Sequence, residues 1–133
     1  MKPTLRQFEK EDYPLVSEWW DGHGFPAVPL EILPRLGIIA EINGSPIGAA
    51  WLYMDNSSGV CMMEWTVTNP ANNPRDSLRA ISALTEFLKA DAKSNGYTVI
   101  LTTCKQQSLA RVHERNGFTK TDDGMIHLIG GLK

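Results

Sequence analysis

Apolar positions in this chain alternate between a period of two, which sends successive side chains to opposite faces of a strand, and a period near 3.6, which gathers them on one stripe of a helix. Thr4 to Phe8 reads as a short first strand. Glu9-Lys10-Glu11-Asp12 then offers a helix cap. Pro14 is tolerated in the first turn, and Leu15, Val16, Trp19 and Trp20 form one band of a helix reaching about Trp20. Asp21-Gly22-His23-Gly24-Phe25-Pro26 breaks that helix into a loop of the kind that borders ligand sites. Val28 to Leu33, with Pro29 near its start, predicts one further short helix ended by Pro34.

Gly37 to Ile42 and Ile47 to Met54 are apolar runs separated by Asn43-Gly44-Ser45-Pro46, and Asn-Gly marks a hairpin because both residues tolerate positive φ. A second turn, Asp55 to Gly59, leads to a third meander strand, Val60 to Thr68. Alternation puts Val60, Met62, Glu64, Thr66 and Thr68 on one face and Cys61, Met63, Trp65 and Val67 on the other. A strand apolar on both sides is central and covered by helices, which makes Glu64 the odd residue. Either a salt bridge or backbone hydrogen bonds satisfy it, or it is a general base whose pKa desolvation has raised.

Asn69-Pro70-Ala71-Asn72-Asn73-Pro74 follows, and then a helix from near Asp76 or Ser77 to about Lys93. Its stripe is Leu78, Ile81, Leu84, Leu88 and Ala92, opposite Arg79, Ser82, Glu86, Lys89 and Lys93. Asn95-Gly96 stops it, and Tyr97 to Thr103 has the β-branched, apolar character of a buried strand, so the unit predicts a right-handed parallel crossover. Such a strand-loop-helix junction aims helix N-terminal N–H groups at the strand's carboxyl end, where α/β proteins hold phosphate-bearing ligands. Ser108 caps a last helix, Leu109 to Arg115, closed by Asn116-Gly117. Phe118 to Thr121 and Met125 to Ile129 flank Asp122-Asp123-Gly124 as a final hairpin.

At 133 residues the expected organisation is one domain over 1–133. Thirteen Lys and Arg against 15 Asp and Glu give a formal charge of −2, with no basic stripe to draw nucleic acid or an anionic membrane. The segment Met1-Lys2-Pro3-Thr4-Leu5-Arg6 has no apolar signal core and no run approaches a membrane span, so a cytoplasmic protein is expected. Cys61 and Cys104 lie in apolar surroundings without a second ligand at metal spacing, and His23, His113 and His127 are far apart, so no metal site is expected. Oligomeric state leaves no trace in the sequence.

With this order of elements the chain resembles the GNAT superfamily of acyl-CoA-dependent N-acetyltransferases over its whole length. Two stretches carry the likeness: Trp65-Thr66-Val67-Thr68-Asn69-Pro70 leading into the long helix, and Leu109-Ala110-Arg111-Val112-His113-Glu114-Arg115-Asn116-Gly117-Phe118. The resemblance implies an α/β (α+β) fold, with a mixed, mainly antiparallel central sheet covered by helices on both faces. It implies acetyl-CoA as co-substrate and direct attack on its thioester by a small-molecule or peptide amine. The family's pyrophosphate loop reads Arg or Gln, two residues, Gly, one residue, then Gly or Ala. Its overlay here is Arg75-Asp76-Ser77-Leu78-Arg79-Ala80, or the same slipped by one residue with Asp76 at the arginine position. Leu78 stands where glycine would let backbone approach a phosphate, and Asp76 as N-cap would compete for the same N–H groups, whereas Arg75 and Arg79 can clamp phosphate by charge. An ordinary capped helix start with exposed arginines is the other reading of the segment.

By the same resemblance, Glu64 takes the place of the general base. Backbone N–H groups of Thr66, Val67 and Thr68 face the pantetheine or the thioester carbonyl. His113 takes the position of the tyrosine acid, and Gln106 that of an asparagine before the last helix. His113 lies four residues after Leu109 on the packing side, which equally suits a buried core histidine. The loop His23 to Pro26, Tyr53 and Asp55 are candidate acceptor lining. The rival to an enzyme is a protein of this fold that lacks tight CoA binding and serves as a binding or interaction module.

Overall fold

A computed structural model describes residues 2–132, so residues 1 and 133 of the expected domain lie outside the described range. Strands β1 (Thr4–Gln7), β2 (Leu36–Ile42), β3 (Ser45–Met54), β4 (Val60–Thr68) and β5 (Val99–Thr102) form one five-stranded sheet in the order β1-β2-β3-β4-β5. All neighbours are antiparallel except β4 and β5. The helices are α1 (Tyr13–Gly22), α2 (Pro74–Ser94) and α3 (Gln107–Arg115). The β2–β3 turn has the backbone its Asn-Gly pair predicts, with φ of 51° at Asn43 and 78° at Gly44.

Alternation along the strands divides the core between two layers. Ile38, Ala40, Ala50, Leu52, Cys61 and Met63 pack against Ala80, Leu84, Leu88 and Ala92 of α2. On the opposite face Ile39, Ala49, Trp51 and Val67 pack against Val16, Trp19 and Trp20 of α1. The sheet is therefore covered on both faces, in the mixed and mainly antiparallel arrangement expected. Helix α2 lies close on β3: a Cβ added to Gly48 would sit 2.9 Å from the Cβ of Ala80.

Five expectations need correction. The last helix, α3, has Gln106 and not Ser108 at its N-cap, and β5 is a four-residue strand with Val99 and Leu101 about half exposed instead of the buried strand expected over Tyr97 to Thr103. The short helix over Val28 to Leu33 is a single 3-10 turn, Leu30–Ile32, confined between Pro29 and Pro34. Helix α2 starts at Pro74, not near Asp76 or Ser77, because Asn73 is its N-cap and its side chain accepts from the N–H of Asp76 at 2.8 Å. The final hairpin is absent among the described residues: no strand follows α3. Its turn chemistry is present, with Asp123 accepting from Gly124 N–H at 2.8 Å and Gly124 at φ 67°. A two-stranded hairpin is marginal without a surface to dock on, and Ile126, Leu128 and Ile129 remain 81–91% exposed.

Candidate functional site

The site is made by the ways β4 departs from a regular strand. Register with β3 is Ala49↔Val67 on one side of the irregularity and Trp51↔Glu64 on the other, so Trp65 and Thr66 together oppose Ala50. That is a β-bulge, and Trp65 takes φ 64°, an expensive backbone for a bulky residue. The bulge overturns the simple alternation expected for this strand. Cys61 and Met63 face α2, but Val67 and Trp65 pack on the α1 side, with Glu64 opposite Trp51. The indole of Trp65 is held by its Nε1–H donating to Tyr53 Oη at 2.9 Å, and Tyr53 in turn donates to the carbonyl of Ile32.

The second departure is on the β5 side. Parallel pairing runs only from Val60↔Val99 to Met63↔Thr102, where β5 ends while β4 continues to Thr68. The last link is the Thr102 hydroxyl donating to the Met63 carbonyl at 2.6 Å. Beyond it, β4 has no ladder partner on that side, and Glu64 is the first residue of this open stretch. Glu64 is only 8% exposed, and burial pushes its carboxyl up to about 7, with the hydroxyl and N–H of Thr103 acting weakly in the other direction. No salt bridge reaches it among the described residues, which removes that explanation of its burial. The Cys104 thiol is pushed up by burial and then by the charge of Glu64, with Lys120 opposing, so Thr103 and Cys104 lie beside the carboxylate and Lys120 lies on the side of the thiol. Sequence reasoning missed these three, because they come together only where β5 stops short of β4.

Thr66 is placed within the bulge, and its hydroxyl is buried without a partner. Val67 and Thr68 follow on the open stretch, and the Thr68 carbonyl is bonded by His23 Nε2 at 2.8 Å. At the start of α2, Pro74 has no N–H and the Asp76 N–H is taken by the Asn73 side chain, which leaves Arg75 N–H as the donor of the first turn. Asp76 is therefore not the N-cap; its carboxylate accepts from Asn73 Nδ2 at 3.3 Å and from Arg79 at 3.4 Å. Ser77 meets Asn72 through its hydroxyl at 3.3 Å, Leu78 is part-exposed, and Ala80 is fully buried against the sheet, a full turn and more inside the helix. The signal for this register was Asn73-Pro74 itself, an N-cap followed by proline at the first helical position.

His113 is 3% exposed, edge-on to Phe118 at 5.5 Å between ring centroids, and neither ring nitrogen has a partner. Burial lowers its pKa, so it is neutral near pH 7. Gln106 is the exposed N-cap residue of α3 and makes no side-chain cap bond. Asp55 binds Ser57 and Ser58 in the turn before β4, at the end of the strand away from the bulge, and so does not join Glu64. Two shallow hollows, of about 470 Å³ between α2 and α3 and about 640 Å³ beside Arg35, Tyr53 and Met62, do not include Glu64. No helix among the described residues is long and apolar enough to cross a membrane, and no cluster of three metal-ligating side chains occurs among them.

No protein-family model matches the sequence, and no curated protein matches it. Solved structures do match. The ribosomal-protein-S18-alanine N-acetyltransferase from Escherichia coli is similar at a TM-score of 0.72 and 16% identity, over 90% of this chain and 79% of that one. An acetyltransferase of the GNAT family from Streptococcus pneumoniae is similar at a TM-score of 0.65 and 14% identity, over 96% and 98% of the two chains. A transcriptional regulator from Bacillus halodurans is similar at a TM-score of 0.70 and 17% identity, over 96% and 99%. The sheet, its two helical layers and these similarities agree: the chain has the fold of the GNAT acetyltransferases.

Proposed function

We propose that the protein is an N-acetyltransferase that moves the acetyl group of acetyl-CoA directly onto an amine, with Glu64 as general base. The observation that carries this reading is the buried Glu64 carboxyl, at about 7, on the first residue of β4 that β5 leaves unpaired. A base with that pKa is about half ionised near neutral pH and can take the proton that an attacking ammonium must lose. As the nitrogen bonds to the acetyl carbon, the C–S bond breaks and the thiolate leaves with CoA. On the open edge of β4, N–H groups at Thr66 and Thr68 would donate to the pantetheine and to the carbonyl oxygen as it gains charge, while Val67 is paired with Ala49 of β3.

The residues fit the two ends of CoA unequally. Around the thioester, the Thr66 hydroxyl and the His113 ring nitrogens are buried polar atoms that lack partners, which a polar ligand would supply. His113, neutral because burial lowers its pKa, would offer its N–H to the leaving sulfur only as a hydrogen-bond donor, and the thiolate would take its proton from solvent. Around the pyrophosphate, the Asn73 cap and the Asp76 charge occupy the helix N-terminus, so that end depends on Arg75 and Arg79 as point charges. This occupied N-terminus favours a second reading, a binding module of the same fold that does not hold CoA.

Thermal unfolding with and without acetyl-CoA decides between them. The transferase reading expects a rise in midpoint with ligand concentration, and release of free thiol when an amine is added. A midpoint that stays put at millimolar acetyl-CoA would leave the binding module.

A further inference from the structure

The loop between β5 and α3 meets the loop after α1. Lys105 places its Nζ 5.5 Å from the centroid of the Phe25 ring. Lys105 forms no salt bridge among the described residues, so its ammonium is held there by the ring face. The ring is fixed from several sides. Phe25 packs on the α1-side core, its N–H donates to the Trp20 carbonyl at 2.9 Å, and its ring stacks on His23 at 6.4 Å between centroids. His23 is tied through Nε2 to the Thr68 carbonyl at the end of β4. A rigid aromatic face thus stands beside the open strand, already holding an alkylammonium.

We propose that the Phe25 ring is a subsite for a cationic group of the acceptor, filled in the free protein by Lys105. The inference rests on the acyl-transfer reading above and narrows it. A nitrogen that attacks a thioester must be neutral, whereas a group bound to the ring face must be charged. One nitrogen cannot satisfy both demands at once. The acceptor is therefore an aliphatic amine with a second ammonium, which displaces Lys105 while its other nitrogen is deprotonated at Glu64.

Calorimetric titration with cadaverine against hexylamine, its isostere with a methyl in place of one ammonium, tests this with and without acetyl-CoA. Wild type should prefer cadaverine. Phe25→Leu should cut that preference roughly two- to fivefold, the size of an exposed cation–π contact. Lys105→Met should tighten cadaverine and leave hexylamine unchanged, and this surface variant carries the test if Phe25→Leu does not fold. A cadaverine preference indifferent to both substitutions, or no cadaverine binding under any condition, overturns the subsite. Binding that follows Phe25 without acetyl transfer would sink the transferase reading alone. Transfer to cadaverine that ignores Phe25 would sink the subsite alone.

Discussion

Replacing Glu64 by Gln should make the protein more stable and less active, with both effects tied to pH. In the folded chain the carboxyl is raised from 4.5 to about 7 by burial. Each unit is worth about 1.4 kcal/mol, so ionising this group in place costs on the order of 3 kcal/mol. The sign follows from which state holds the proton. Below about pH 4.5 both folded and unfolded chains carry it and nothing is lost. Between about 4.5 and 7 the unfolded chain ionises first, and stability falls as pH rises; above about 7 the full cost is present. Gln cannot ionise and keeps the volume, so the variant escapes the cost, less whatever the amide forfeits at Thr103. For a chain of this length about 3 kcal/mol corresponds to roughly 10 °C in melting midpoint. The assay is a set of thermal and urea melts of both proteins from acid to mildly alkaline pH. The variant should melt higher near pH 8 by up to that amount and converge with wild type in acid. If the two melt together near pH 8, the carboxylate is solvated and the argument for a tuned base collapses. Where wild type has turnover, its rate should rise with pH through a midpoint near 7, and Glu64→Gln should lose both that limb and about two to four orders of magnitude in rate.

Other perturbations separate backbone, packing and titration effects. Trp65→Gly and Trp65→Ala both lose the indole, but at φ 64° the Gly variant should be the more stable by about 1 kcal/mol in urea melts; equal stabilities would mean the bulge relaxes once the indole is gone. Gly48→Ala should cost about 1–3 kcal/mol, since its Cβ would meet Ala80 at 2.9 Å, and an unchanged melt would show that α2 can back away. His113 has a depressed pKa, so its burial contributes fully at neutral pH and is lost as pH falls below the unfolded value of about 6.5. His113→Phe should abolish that acid sensitivity and, by removing two orphaned nitrogens, hold or raise neutral stability by about 1 kcal/mol; a pH profile identical to wild type would refute it.

Most elements could be read from local pattern because their causes are local. The Asn43-Gly44 turn, the Asn95-Gly96 stop and the stripe of α2 each depend on residues a few positions apart; the turn and the stop appear as expected, and so does the stripe from Ile81 to Ala92, whereas Leu78 at its start is exposed. Glu64 could be singled out because a carboxylate in an apolar run is conspicuous whatever surrounds it. The bulge at Trp65 could not, since it is a mismatch of register between two strands and nothing in β4 alone announces it. The same holds for the company of Glu64: Thr103 and Cys104 reach it only because β5 ends early. The start of α2 was legible in Asn73-Pro74, but the family overlay drew attention to residues further along. The tail after Phe118 has the pattern of a hairpin, yet pattern supplies no docking surface.

The order β1-β2-β3-β4-β5 has a consequence for how the chain breathes. Strands β2 to β4 follow one another through short reversals and are zipped together over most of their length, while β1, separated from β2 by α1, pairs with it along all four of its residues. Strand β5 joins only after the whole of α2 and contributes four residues to the sheet, with Val99 and Leu101 about half exposed. Amide exchange should then divide the molecule, with slow exchange in the meander and faster, shared opening in β5 and α3. The divide runs along the seam that holds Glu64. A ligand entering there would not need to unfold the protein, only to part a weak cooperative unit from a strong one.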